Sequence, residues 1–288
     1  MTTPSGLNMG AYDVLMGDQG LGAIRHTETG ETMHASHDPR QEAFGLYVAQ
    51  PNIISRIQSN PTPLTIWDVG LGAATNAMEC IASIERASHI LAPIRIISFE
   101  CDLDSLRLAI KHPDLFPHVN HPAPKNLLEK GSWTNPNLSI SWELCYGDFL
   151  KSTFDAPVPD IIWYDPFSYK VLITPWTVRS LRTILDSTRN HPCELYTYTA
   201  STAIRSGMLV AGWYVGYGVG TGLRRETTVA YSPSRMDTNT KKTLLGERWL
   251  AKWRRSNARI PLGNSDKNYH RKILAHPQFA EPMPCIFT

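Results

Sequence analysis

The sequence predicts an α/β fold, a doubly wound Rossmann-like sheet that is mostly parallel with an antiparallel edge strand, on three observations. From residue 60 onward, apolar runs of strand length alternate with helical patterns, as in a parallel sheet covered by helices on both faces. The stretch Leu64-Thr65-Ile66-Trp67-Asp68-Val69-Gly70-Leu71-Gly72-Ala73-Ala74-Thr75-Asn76 ends an apolar run in an acid and two spaced glycines just before a helical pattern. Four acids, Asp68, Glu100, Asp148 and Asp165, close successive runs. In a doubly wound sheet that is the end at which ligands bind.

The runs place strands at 64–70, 94–100, 138–146, 159–165, 193–199, 213–219 and 226–232, and helices at 74–88, 102–111, 175–188 and 202–211. Thr174 is the expected cap of the third helix, with Pro175 in its first turn. Ser201 is expected to cap the fourth, and Gly212 to end it in the left-handed conformation. A short Gly-rich turn joins the closing strands, which predicts an antiparallel pair at one sheet edge. Residues 112–137, rich in His, Pro and Asn, read as an irregular insertion with at most one helical turn.

The 288 residues suit one core with additions, and no Pro/Gly/Ser-rich linker divides two comparable halves. The expected division is an N-terminal segment 1–60 covering the site, a core 61–235 and a basic extension 236–288. No apolar run approaches the ~20 residues that span a bilayer, and Met1–Gly10 has no secretory pattern. Five scattered cysteines without a CxxC pair favour a reduced cytoplasm over a disulfide scaffold or zinc site. The histidines (His34 and His37; His112, His118 and His121) have no regular ligand spacing, so no metal is expected. Net charge is only +2, but basic residues crowd the carboxyl end, where Lys252, Arg254, Arg255 and Arg259 surround Trp253. Such a segment either follows a phosphate backbone or is a solvated helix whose tryptophans pack on the core.

The glycine loop reads as a site for an adenosine-bearing cofactor, because glycines let the backbone approach a ligand ahead of a helix N-terminus. The third glycine of the dinucleotide fingerprint is replaced by Ala74, and a carboxylate at Asp68 crowds a pyrophosphate but suits the ammonium of S-adenosylmethionine. S-adenosylmethionine is therefore favoured over NAD. Gly70, Gly72 and Asn76 belong to this loop, Glu100 is the expected ribose acceptor, and Asp148 and Phe149 are placed for adenine. Any one of these acids has the alternative of a cap or turn role. Asp165 opens Asp165-Pro166-Phe167-Ser168, an acid–Pro–aromatic turn similar to those of amino-group methyltransferases. A carboxylate there attracts an ammonium and can take its proton, freeing the lone pair for attack.

On four stretches the chain resembles the MnmC methyltransferase domain and its stand-alone relatives. They are Thr29-Gly30-Glu31-Thr32-Met33-His34 with Glu42-Ala43, the Asp68–Asn76 loop, Tyr164-Asp165-Pro166-Phe167-Ser168, and Thr197-Tyr198-Thr199-Ala200 through Arg205, Ala211-Gly212 and Gly220 to Arg224-Arg225-Glu226. The resemblance implies a class I S-adenosylmethionine-dependent methyltransferase acting on tRNA, completing the methylaminomethyl group of a wobble uridine. It implies Asp165 as the catalytic aspartate, and Glu31, Met33, Tyr47 and Gln50 as possible pocket residues, with a structural hairpin as the alternative for each. Phe167, Tyr198, Arg224 and Arg225 are the further substrate candidates. A separate enzyme is then expected to supply the aminomethyl-uridine, because the sequence carries no flavin-dependent oxidase domain. The plainer loop (Leu71, Ala73, Ala74) and Tyr169-Lys170-Val171 after the turn depart from the family pattern. Aminopropyl transfer, methylation of another small amine, and RNA binding without catalysis are the competing readings.

Overall fold

The computed structural model describes residues 7–17, 20–33, 38–221 and 225–280. The candidate Arg224, together with His34 and His37, lies outside them. Three short strands, β1 (Asn8–Met9), β2 (Tyr12–Met16) and β3 (Gly22–His26), make a small antiparallel sheet. The main sheet contains β4 (Leu64–Val69), β5 (Ile94–Glu100), β6 (Ser132–Asn135), β7 (Ile140–Tyr146), β8 (Ile161–Tyr164), β9 (Glu194–Thr197), β10 (Tyr214–Gly218) and β11 (Thr227–Tyr231). Its order is β10-β11-β9-β8-β4-β5-β7-β6, parallel from β9 across to β7. The closing strands pair antiparallel as expected, but β11 is inserted between β9 and β10, so the sheet edges are β10 and β6.

Alternate side chains of each strand enter opposite layers. Ile66, Ile96, Ile161 and Trp163 pack with Ile53, Ala77, Ile81 and Leu106 on one face. Trp67, Ile97, Phe99, Ile162 and Tyr164 pack with Leu181, Ile184, Ile204 and Met208 on the other. Five tryptophans, Trp67, Trp142, Trp163, Trp176 and Trp213, are fully buried.

Two expectations are corrected. The stretch 112–137 is largely ordered, with a helix at Pro122–Lys130 and then β6 along β7. Pro122 occupies the first helical turn, where no N–H is needed, and Gly131, at φ 73°, ends the helix. The third predicted helix begins at Val178, capped by Thr177, whose Oγ1 accepts from Ser180 N at 3.2 Å; Thr174–Trp176 is a separate 3-10 turn. The fourth helix, Thr202–Ala211, runs as expected to Gly212 at φ 100°, although Ser201 makes no side-chain cap bond.

Before β4, helix Pro39–Ala43 continues into a π-helical turn, Phe44–Ala49, that carries Tyr47 inward. Inserted π turns re-aim side chains and recur at functional sites. Among the described residues of the first 60, Glu31 and Tyr47 come beside Gly70, Glu100 and Asp165 at the carboxyl ends of the main strands.

Candidate active site

A cavity of about 860 Å³ lies at those strand ends. Its walls include Gly70, Gly72, Glu100, Asp148, Phe149, Asp165, Phe167 and Tyr198 from the core, and Glu31 and Tyr47 from the N-terminal segment. With Met33, which also lines it, eleven of the sequence candidates thus come together. Asp68, Asn76 and Arg225 do not line it.

Asp68 points into the protein, which leaves it the indirect route through the loop backbone. It is 1% exposed, and its Oδ2 accepts from Ser98 Oγ at 2.6 Å. Trp142 Nε1 donates to the same Ser98 oxygen at 2.8 Å, while Asp68 Oδ1 is buried without a hydrogen bond. Burial raises the Asp68 pKa to about 7, against the lowering effect of the Ser98 bond. Glu100 does line the cavity, but its carboxylate is engaged with backbone: Oε2 accepts from Gly72 N at 3.2 Å and Oε1 from Cys101 N at 2.8 Å and Asp102 N at 3.1 Å. Its pKa is raised by burial, against those N–H groups. Asp148 caps the helix Phe149–Ser152, accepting from Leu150 N at 3.1 Å, and Phe149 packs edge-on against Phe99 with centroids 4.9 Å apart.

Asp165 lines the cavity and is held by a hydrogen bond from outside it. Asn76 is not a cavity residue: its Nδ2 donates to Asp165 Oδ2 at 2.9 Å from the first turn of helix Thr75–Arg86. The backbone that follows is held at each residue. Tyr198 Oη reaches Pro166 O at 3.4 Å, Trp176 Nε1 donates to Phe167 O at 2.8 Å, and Ser168 N donates to Glu31 Oε1 at 2.9 Å. Gly70 has φ +90°, and a Cβ there would sit 2.5 Å from Asp165 O, so this glycine serves the contact between loop and turn.

Above the turn, the Tyr47 hydroxyl is buried without a hydrogen bond, and burial followed by the Asp165 charge pushes its pKa far up. Glu31 Oε2 is likewise buried and unpaired, and it belongs to a cavity-lining side chain. Sequence reasoning missed the edge-on series Tyr12, His26, Phe167, with centroids 5.3 and 5.7 Å apart, and the Thr221 Oγ1 to Glu42 Oε1 bond at 3.1 Å. All of these residues line the cavity. No local pattern announces contacts between segments this far apart. Gln50 instead accepts from Val219 N at 3.3 Å, and Arg225 is exposed.

A second cavity of about 470 Å³ opens at the opposite strand ends, beside Leu64, Asp160 and His191. Its two arginines, Arg56 and Arg235, are both bonded to the buried Glu194, at 2.6 and 2.7 Å. Their charge is spent internally, and the cavity lies away from the ligand end of a doubly wound sheet.

Residues 124–233 match the model of a family described as S-adenosyl-L-methionine-dependent methyltransferase. The chain is an S-adenosylmethionine-dependent methyltransferase. The crystal structure of MnmC2 from Aquifex aeolicus matches at TM-score 0.68 and 19% identity, over 95% of this chain and 85% of that one. A probable spermidine synthase from Corynebacterium glutamicum matches at TM-score 0.50 and 13% identity, over 89% and 94% of the two chains. Comparison with curated proteins gives no match. The family match and the shared fold support the resemblance of this methyltransferase to the MnmC domain. No described helix of the methyltransferase is long and apolar enough to cross a membrane, and no group of metal-holding side chains occurs among the described residues.

Proposed function

We propose that the methyltransferase acts on an amine, with Asp165 as its catalytic residue, and that the amine is the aminomethyl group of a modified wobble uridine in tRNA. The observation that carries the first half is the fixing of Asp165: one oxygen accepts from Asn76, and the three residues after it are clamped by Tyr198, Trp176 and Glu31. A carboxylate held on rigid backbone at a cavity wall can orient an ammonium and accept its proton without reorganising. The unpaired Glu31 Oε2 provides a second acceptor for such a cation.

The cofactor fits the residues present. Gly70 and Gly72, both at positive φ, carry the loop along the cavity wall, and Glu100, Asp148 and Phe149 line the same cavity. In this reading Glu100 and Asp148 hold the ribose and adenine, Phe149 flanks the base, and Asp68 acts on the loop from beneath. S-adenosylmethionine, when bound, supplies an electrophilic methyl group. Asp165 holds the amine and takes its proton, Tyr47 and Phe167 confine it, and the N-terminal segment excludes water.

The wobble-uridine half rests on the four sequence stretches that resemble the MnmC domain. Mass spectrometry of tRNA nucleosides from cells with and without the gene tests it. Loss of a methylaminomethyl-uridine and accumulation of its aminomethyl precursor supports the reading; unchanged wobble nucleosides reject it.

A further inference from the structure

Tyr217 stands at the carboxyl end of edge strand β10 and is 38% exposed. Its ring is backed by the guanidinium of Arg205, whose Cζ lies 5.2 Å from the ring centroid. Arg205 is itself 2% exposed and immobile: Nε donates to Thr228 Oγ1 at 3.0 Å, Nη1 to Glu226 at 2.7 Å and Nη2 to Thr227 O at 2.7 Å. The bond to Glu226 neutralises this cation, so its contribution at the surface is to hold the Tyr217 ring in place.

The ring stands among charges of both signs, with Glu226 acting on its hydroxyl as well as Arg205 and Arg248. Arg225 is exposed two residues before β11, whose Thr227 is in register with Gly218, the neighbour of Tyr217. Arg248, on helix Glu247–Arg255, lies close enough to act electrostatically on the Tyr217 hydroxyl. Thr221, which lines the cavity, is four residues further along, a span of at most about 13 Å. A lone ring between arginines offers a protein partner little continuous apolar area. A flat, part-exposed π-face fixed from behind, with the exposed Arg225 two residues from the strand position paired beside it, suits an unpaired base and its phosphates.

We propose that Tyr217 is a stacking platform for an unpaired nucleobase adjacent to the target nucleotide of an RNA substrate. The inference rests on the proposed RNA substrate and adds a residue that grips the RNA outside the catalytic cavity. Buried Arg205 fixes the ring in advance, so little side-chain freedom is lost on binding.

A hairpin RNA carrying a fluorescent adenine analogue in its loop tests the platform. Tyr217→Leu should weaken hairpin binding by about tenfold, the size of one lost base stack, and should abolish quenching of the analogue at one loop position. Tyr217→Phe should stay within about twofold of the starting affinity, because the π-face is retained. The salt dependence of binding should be the same in all three proteins, since phosphate contacts are untouched. Unchanged affinity and quenching in Tyr217→Leu overturns the platform alone. Failure of the unaltered protein to bind the hairpin at all overturns the RNA reading together with it.

Discussion

Asn76 and Asp165, 89 residues apart in sequence, share one hydrogen bond of 2.9 Å in which the amide Nδ2 donates to carboxylate Oδ2. This bond joins the first turn of the helix after the glycine loop to the Asp-Pro-Phe-Ser turn. The bond ties the helix that follows the glycine loop to the residue proposed to receive the amine.

Asn76→Ala should slow methyl transfer roughly 10- to 100-fold, because a hydrogen bond to a charged acceptor contributes about 1.5–3 kcal/mol. Cofactor affinity should change less than about twofold, since Asn76 does not line the cavity. Titration of both proteins with S-adenosylmethionine separates the effects. A variant that turns over normally but binds cofactor weakly would return Asn76 to a cofactor role.

Gly70→Ala should be far more damaging than Gly72→Ala. Both positions have positive φ, a strain of roughly 1–2 kcal/mol for alanine. At Gly70 the new Cβ also meets Asp165 O at 2.5 Å and Pro166 Cα at 3.1 Å, whereas at Gly72 it meets only the flexible Met33 sulfur at 3.3 Å. Thermal unfolding and turnover should show Gly70→Ala losing both stability and rate, with Gly72→Ala close to the strain alone. Equal losses would mean that the Gly70 contact does not position the turn.

The parallel sheet was legible because each strand carries two interleaved apolar faces, as in Ile66/Trp67 and Ile161/Ile162, and because the acids fall at the strand ends. Helix Pro122–Lys130 was hidden because its two prolines sit in the first turn, where they are tolerated but resemble breakers. Asp165 was legible as a member of a local turn. The inward orientation of Asp68 and the bond from Asn76 were not, because side-chain direction at a strand end is decided by neighbours such as Ser98, from another strand. Glu31 was found only through the family resemblance; its bond to Ser168 N spans 137 residues.

Asp68→Asn should alter the pH dependence of stability. The Asp68 pKa rises from 3.8 to about 7 on folding, so the folded state binds this proton more tightly than the unfolded chain. Its contribution to stability is therefore fully present below the unfolded value and is lost as pH rises through about 7. Stability of Asp68→Asn relative to the starting protein should increase across that window and level off above it, as measured by denaturant midpoints at a series of pH values. A constant difference would show Asp68 ionised at the same pH in both states.

Helix Glu247–Arg255 separates packing from charge. Trp249 and Trp253 are each 3% exposed and stack with centroids 6.3 Å apart, whereas Arg254 and Arg255 are exposed on the same helix. Trp253→Ala should destabilise the protein by about 3–5 kcal/mol. Replacing Arg254 and Arg255 together by Ala should leave the melting temperature within a degree or two, raise the Michaelis constant for tRNA and flatten its salt dependence. An early-melting double variant with an intact salt slope would confine this helix to a structural role.

The most direct measurement is single-turnover methyl transfer by Asp165→Asn, with tRNA bearing aminomethyl-uridine as acceptor and S-adenosylmethionine as donor. The amide keeps the shape of the side chain but lacks the charge that holds the ammonium and accepts its proton. The account predicts S-adenosylmethionine binding within about twofold of the unaltered protein and a methyl-transfer rate at least roughly 100-fold lower at neutral pH. Near-normal transfer by this variant would contradict it and leave Asp165 a turn residue.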